Sequence, residues 1–188
     1  MIQQSSLSKY ISEETPPKAN AMINTFRAFG YNLQTAIADI IDNSISAKAE
    51  NVWINYAWNG ADSWVTILDD GEGMNRSSLV NAMTPGSKDP NDERDENDLG
   101  RFGLGLKTSS FSQCKVLTVA SKTEGYAVLK RCWDLDFVNQ TGKWSLLDYI
   151  SDESYLGKLS EMKSGTLVLW ENLDRLVGNS HKENDAAR

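Results

Sequence analysis

The chain has 188 residues, 40% apolar and 24% charged, which suits one globular domain and is too apolar for a disordered polymer. Lysine and arginine number 19 against 26 acidic residues, a net charge of −7 that argues against nucleic-acid binding driven by bulk charge but leaves room for a local basic pocket. One histidine excludes a multi-histidine metal centre, and two cysteines without ligand or disulfide spacing read as buried thiols in a reducing, cytoplasmic setting.

Residues 1–17 are polar and end in Thr15-Pro16-Pro17, the composition of an arm that leads into a domain spanning 18–175. A helical pattern follows, with Ala21, Met22, Thr25, Phe26 and Phe29 expected to form one face before Gly30 breaks it. Asn32 is a fair N-cap for a second helix, in which Leu33, Ile37, Ile40, Ile41 and Ser44/Ile45 are expected to face inward. Strands are expected at 52–58 and 64–68, joined by an Asn59-Gly60 hairpin turn. A short helix is expected at 76–83, and residues 84–98 carry breakers and charges with almost nothing to bury, so they read as a long loop.

A glycine-rich stretch at 100–107 opens a helix to about Gln113, and further strands are expected at 115–121, 126–134, 143–147 and 165–171. Four of the six tryptophans (Trp53, Trp64, Trp133 and Trp170) fall in these strands, where sheet or core packing is the simplest role. Residues 176–188 read as a polar tail, expected to begin a linker to a further domain. No apolar run approaches a bilayer span and the start MIQQSSLSKYISEE is no signal peptide, so no membrane is expected. Helices followed by a mixed, mostly antiparallel sheet make an α+β two-layer sandwich with the helices on one face.

Three segments carry candidate chemistry. Asp39 and Asn43 are one helical turn apart and share a face, an arrangement that suits a hydrated Mg²⁺ on the Asn43 oxygen beside an acid that polarises water. The pair alone also describes a solvated helix face. In Asp69-Asp70-Gly71-Glu72-Gly73-Met74, a carboxylate at a strand end can accept from an exocyclic amine while glycines admit a ring, although such a run is also an ordinary turn. Gly100-x-x-Gly103-x-Gly105-x-Lys107 before a helix lets backbone N–H groups converge on a polyphosphate with Lys107 adding charge, or serves as a hinge. It is neither a Walker A run nor a dinucleotide fingerprint.

In this order, closed by a late strand opening on Gly165-Thr166, the motifs resemble the GHKL ATPase family of gyrase B, heat-shock chaperones, histidine kinases and MutL, with MORC-type ATPases most alike. The resemblance runs from about Met22 to Leu173 and implies the Bergerat-type ATP-binding fold, with ATP as substrate and Mg²⁺ held by Asn43. It implies that Asp70 hydrogen-bonds the adenine amino group, aided by Thr166, with Ala47, Gly73 and Met74 around the base. A lid would run from Thr84 to about Phe102, bringing Ser87, Lys88, Gly100 and Arg101 toward the nucleotide. Gly103, Leu104, Gly105, Leu106 and Lys107 would hold the phosphates.

Asp39 falls where hydrolysing members carry a glutamate base and is one methylene shorter, and Ser46 stands where many members carry an aspartate. Slow ATP hydrolysis is therefore expected, with lid closure coupled to conformational change or to an ATP-dependent homodimer formed through the arm. A missing C-terminal transducer domain is also implied, and nucleic acid is not. The alternatives are a module that binds ATP without significant hydrolysis and the ATP-binding half of a histidine kinase, which the carboxylate at position 39 disfavours.

Overall fold

The computed structural model describes residues 13–28, 30–87 and 105–177. Residues 1–12 of the expected arm, Phe29, most of the expected lid, the acidic run within it and residues 178–188 of the polar tail lie outside the described residues. Helix α1 (Ala19–Ala28) leads to α2 (Leu33–Ser46), whose N-cap Asn32 accepts the Thr35 N–H at 2.8 Å. Strands β1 (Val52–Ala57) and β2 (Trp64–Asp69) follow, then α3 (Arg76–Met83) and α4 (Gly105–Phe111). Next come β3 (Val116–Lys122), β4 (Leu129–Asp134) and α5 (Leu135–Thr141). The short α6 (Gly157–Glu161), β5 (Gly165–Glu171) and α7 (Asp174–Val177) complete the described chain.

The five strands lie in the order β1-β2-β5-β3-β4, and every neighbouring pair is antiparallel. No parallel pairing of the expected mixed sheet occurs among the described residues. The crossover through α3 and α4 does leave β2 and β3 running the same way, but β5 lies between them and separates the two.

Alternate residues of the central strands face the long helices. Val65 and Ile67 of β2, Leu117 and Val119 of β3, and Val168 and Trp170 of β5 join one core with Ile23, Phe26 and Ile40. The opposite sheet face is also buried: Leu68, Ala120, Leu167 and Leu169 pack beneath Ile150, Leu156 and Leu159 from the α6 region. Trp53 and Trp64 pack against this second cluster, while Trp133 and Trp170 lie in the first. Both thiols are free and buried, with burial pushing Cys132 up to about 11 and Cys114 well above its ordinary value.

Several expectations change in detail. The β1–β2 connection is not a two-residue Asn59-Gly60 turn, since the last pair is Ala57 with Trp64 and a 3₁₀ turn at Gly60–Asp62 fills the gap. Ser63 closes it by accepting the Asn59 N–H at 2.9 Å and donating to the Gly60 carbonyl at 2.8 Å. The face of α1 is Ala19, Ile23 and Phe26, leaving Ala21 and Thr25 exposed. On α2 the stripe is Ala36, Ile40 and Ser44, and Ile45 is 56% exposed. The expected strand at 143–147 reduces to one bridge between Leu147 and Cys132. Residues 135–141, where no helix is expected, form α5, whose first turn Asp134 caps and which Gly142 ends in the left-handed region.

Candidate nucleotide-binding site

At one end of the sheet's helical face the alternation continues from apolar to polar. Asp69 follows Val65 and Ile67 on β2, Ser121 follows Leu117 and Val119 on β3, and Thr166 precedes Val168 on β5. The register sets Asp69 opposite Thr166 and Thr166 opposite Ser121, so three polar side chains form a row across three strands. Above this row lies a cleft of about 340 Å³. Ile40, Asn43, Ser44 and Ala47 of α2 form one wall, and Gly105, Leu106 and Lys107 of α4 form another. Gly73 and Met74 stand on its rim, with Ser78, Asn81, Ala82 and Ser87 on the side of α3.

Adjacent aspartates have opposite fates. Asp69 is buried on the cleft floor, its Oδ1 accepting the Gly71 N–H at 3.0 Å and the Thr166 N–H at 3.2 Å. Its Oδ2 accepts the Ser44 hydroxyl at 2.9 Å. Burial raises its pKa, the Gly71, Ser44 and Thr166 donors pull it down, and the charge of Asp70 raises it again. Asp70, the expected adenine ligand, does not line the cleft. Its Oδ1 caps the N–H groups of Glu50 and Asn51, each at 2.8 Å, and its Oδ2 accepts the Asn51 amide at 2.8 Å. The Asn51 side chain, then the Asn51 and Glu50 N–H groups, hold it below the usual carboxylate range. Asp69 and Asp70 diverge because consecutive side chains of an extended chain point to opposite sides.

Glycines bring the following turn against the walls. A Cβ on Gly73 (φ +69°) would lie 1.9 Å from the Lys122 carbonyl oxygen, and one on Gly71 would lie 2.7 Å from the Ala47 oxygen. The Met74 N–H then donates to Ser121 Oγ at 2.8 Å, which fixes the rim on the sheet.

Asp39 sits beside the cleft rather than in its lining, its Oδ2 lying 3.8 Å from where a Cβ on Gly105 would stand. Burial raises its pKa, a hydrogen bond from Tyr31 lowers it, and the charge of Asp42 raises it further. Asn43, one turn on, is exposed at the cleft. Lys107 is buried along the wall, with Nζ donating to the Ala82 carbonyl at 2.8 Å near the C-terminal end of α3. Thus Asn43, Ala47, Gly73, Met74, Ser87, Gly105, Leu106, Lys107 and Thr166 come together on one cleft. Lys88, Gly100, Arg101, Phe102, Gly103 and Leu104 lie outside the described residues. Asp69 belongs to the run read in the sequence, but the base-binding role expected there is that of Asp70; Ser121 and the bond from Ser44 to Asp69 carry no signal in the sequence.

An α+β fold whose cleft lies between helices and one polar end of an antiparallel sheet is the architecture of a class of nucleotide-binding ATPase domains. The family model described as "Histidine kinase-, DNA gyrase B-, and HSP90-like ATPase" matches residues 31–166, and the chain belongs to this GHKL family. It is similar to "ATPase morc-1" of Caenorhabditis elegans, 30% identical over 91 residues, which are 48% of this chain and 10% of that protein. It is also similar to "DNA mismatch repair protein MutL" of Dictyoglomus thermophilum, 30% identical over 94 residues, 48% of this chain and 16% of that protein. The chain thus spans a small part of the length of these relatives. Among the described residues, no helix is long and apolar enough to cross a membrane.

Proposed function

We propose that the cleft binds ATP with Mg²⁺ and that the chain hydrolyses it slowly, in a cytoplasmic setting. The observation that carries the reading is the buried Asp69 carboxylate on the cleft floor. Two N–H donors occupy Oδ1 and one hydroxyl reaches Oδ2, so an acceptor position remains on Oδ2 for an exocyclic amino group. Thr166 lies beside it, and Gly73 and Met74 flank the base. The adenine role expected of Asp70 therefore passes to Asp69.

The cleft also suits the cation that travels with a nucleotide. No group of three acidic, histidine or cysteine side chains that could cage a metal occurs among the described residues. Mg²⁺ is commonly held by one or two protein oxygens together with phosphates and water, and Asn43 supplies such an oxygen. When bound, the ion neutralises phosphate charge. Lys107 adds a cation on the opposite wall, beside Gly105. Asp39 orients the attacking water as general base; its raised pKa brings it nearer the range such a base requires. Its short side chain and its place outside the cleft lining favour slow turnover. The same observation supports the second reading, a module that binds ATP and releases almost no phosphate.

Titration calorimetry with ADP and with ATP–Mg²⁺ tests the binding reading, and absence of saturable heat from both would sink it. In single-turnover assays Asp39→Asn is expected to slow phosphate release at least about 100-fold while ATP affinity stays within about threefold. An unchanged rate removes Asp39 as the base and leaves the non-hydrolysing reading. Tyr31→Phe removes an influence that lowers the Asp39 pKa. Because the base acts when deprotonated, the acidic limb of the single-turnover pH profile should then move to higher pH. A limb that stays put or moves down breaks the assignment. Closure of a lid over residues 84–102, homodimer formation through residues 1–17 and coupling to a C-terminal transducer domain belong to this proposal, and crosslinking with and without a non-hydrolysable ATP analogue tests the dimer.

A further inference from the structure

We infer that the outer edge of β1 is a self-pairing surface, on which two copies of this chain join their β1 strands antiparallel about a two-fold axis at Ile54. The inference goes beyond the ATP-dependent dimer proposed through the arm, because it needs neither nucleotide nor residues 1–17. Strand β1 is one of the two edges of the sheet, and β2 is its one neighbour. The Asp70 N–H donates to the Asn51 carbonyl at 3.4 Å, so bonded pairs recur at Trp53 with Leu68, Asn55 with Thr66 and Ala57 with Trp64. Val52, Ile54 and Tyr56 therefore turn their N–H and C=O groups away from β2. No main-chain partner meets those groups among the described residues.

The two edges of the sheet are finished differently. At β4 the Cys132 N–H donates to the Leu147 carbonyl at 2.8 Å and the Cys132 carbonyl accepts the Leu147 N–H at 2.9 Å, so a further segment covers that edge. Lys130, Arg131 and Asp134 also place charge along it. Cover and charge both keep a second chain off an exposed strand. Strand β1 has neither. Residues 51–58 read Asn-Val-Trp-Ile-Asn-Tyr-Ala-Trp, with no charge and no proline, and the pairing with β2 carries no bulge. Ile54, Tyr56 and Trp58 are 42%, 70% and 57% exposed.

A second copy is the occupant that fits, because this edge is complementary to itself. About an axis at Ile54, the two Ile54 residues face each other, and Val52 of each copy faces Tyr56 of the other. The outward N–H and C=O groups of all three residues then find partners. Aliphatic pairs and pairs of an aromatic with a β-branched residue stabilise antiparallel strands, and like charges do not meet, since Glu50 falls opposite Trp58. Neutrality matters between copies that each carry a net charge of −7. The exposed parts of the three side chains come to roughly 700 Å² over two copies, before the strand backbones are counted, which is the scale of a weak, reversible dimer. The cleft floor spans β2, β5 and β3, so pairing at β1 leaves the cleft open.

Sedimentation velocity of the nucleotide-free 188-residue chain, over about a 100-fold range of concentration, should show a reversible monomer–dimer equilibrium. Tyr56→Lys sets a charge opposite Val52 twice in each dimer and should weaken association at least about tenfold, with thermal unfolding little changed. Ile54→Cys tests the register. Across the axis the two Cα atoms would stand about 5.5 Å apart, within disulfide reach, so mild oxidation should yield a covalent dimer. Both native thiols are buried and do not compete. Tyr126→Cys, at a tyrosine 73% exposed between β3 and β4, should give no such product. Where Tyr56→Lys does not fold, the Ile54→Cys crosslink decides. A chain that stays monomeric throughout overturns the inference and leaves the edge to an extended segment of another protein. A dimer that a folded Tyr56→Lys variant forms as well as the wild type, or an oxidised Ile54→Cys chain that gains no crosslink, also overturns it. So does a dimer that appears only with a non-hydrolysable ATP analogue, which belongs to the arm instead.

Discussion

Asp69→Asn is expected to weaken ADP binding about 100-fold, whereas Asp70→Asn leaves it within about threefold. The first change keeps the shape and replaces an acceptor oxygen on the cleft floor with an amide. If that amide takes the Oδ2 position it faces both the Ser44 hydroxyl and the incoming amine with protons of its own. If it takes the Oδ1 position it opposes the Gly71 and Thr166 N–H groups. Either orientation leaves buried donors without acceptors, at about 1–3 kcal/mol for each unsatisfied group and more where a charge is involved. Asp70 has no such place. Its carboxylate serves the N–H groups of Glu50 and Asn51, so its loss should lower thermal stability slightly and spare the nucleotide. Calorimetry on the two variants decides the matter, and equal losses of affinity would return the adenine role to Asp70.

Gly73→Ala should cost at least about 3 kcal/mol of folding stability and abolish nucleotide binding. Two effects add. The backbone at Gly73 has φ +69°, where an L side chain is strained by about 1–2 kcal/mol. The added Cβ would also stand 1.9 Å from the Lys122 oxygen and 2.7 Å from its carbonyl carbon, both main-chain atoms of β3. Relief requires the rim to lift away from the sheet, which breaks the bond from the Met74 N–H to Ser121. Gly125→Ala is the control, since φ is +82° there and nothing lies within 4 Å of the new atom. Thermal unfolding should show a fall of about 10 °C for Gly73→Ala and about half that or less for Gly125→Ala, taking about 2–4 °C per kcal/mol for a chain of this size. Equal falls would mean that backbone strain alone explains Gly73 and that the close approach to β3 is not limiting.

The parts of the fold that were legible in the sequence are those governed by local chemistry. Asn32 caps α2 through its own side-chain oxygen as expected, and the breakers between segments set the element boundaries closely. Capping signals were also present for α5, in Asp134 and Gly142, but a helix of seven residues carries too little periodicity to separate it from the strand before it. The strand expected at 143–147 failed for the opposite reason. Apolar residues there cover the edge of β4 through one bridge pair, and apolar content alone does not distinguish a paired strand from a covering segment.

The sequence alone determined the family and the neighbourhood of the site, because both rest on residue types at short, ordered spacings: Asp39 with Asn43, the run from Asp69 to Met74, and the glycines before Lys107. The net charge of −7 and the one-domain length agree with that reading without selecting it. Only the tertiary structure decided which of two neighbouring carboxylates serves the cleft. Strand β2 is buried on both faces, Val65 and Ile67 under the long helices and Thr66 and Leu68 on the opposite side, so its alternation has no exposed polar side to mark outward from inward. Packing assigns the faces, and Asp69 inherits the helical one. Ser121 comes to light the same way, because its partners are 44 to 47 residues away in the chain and meet it only when β5 inserts between β2 and β3.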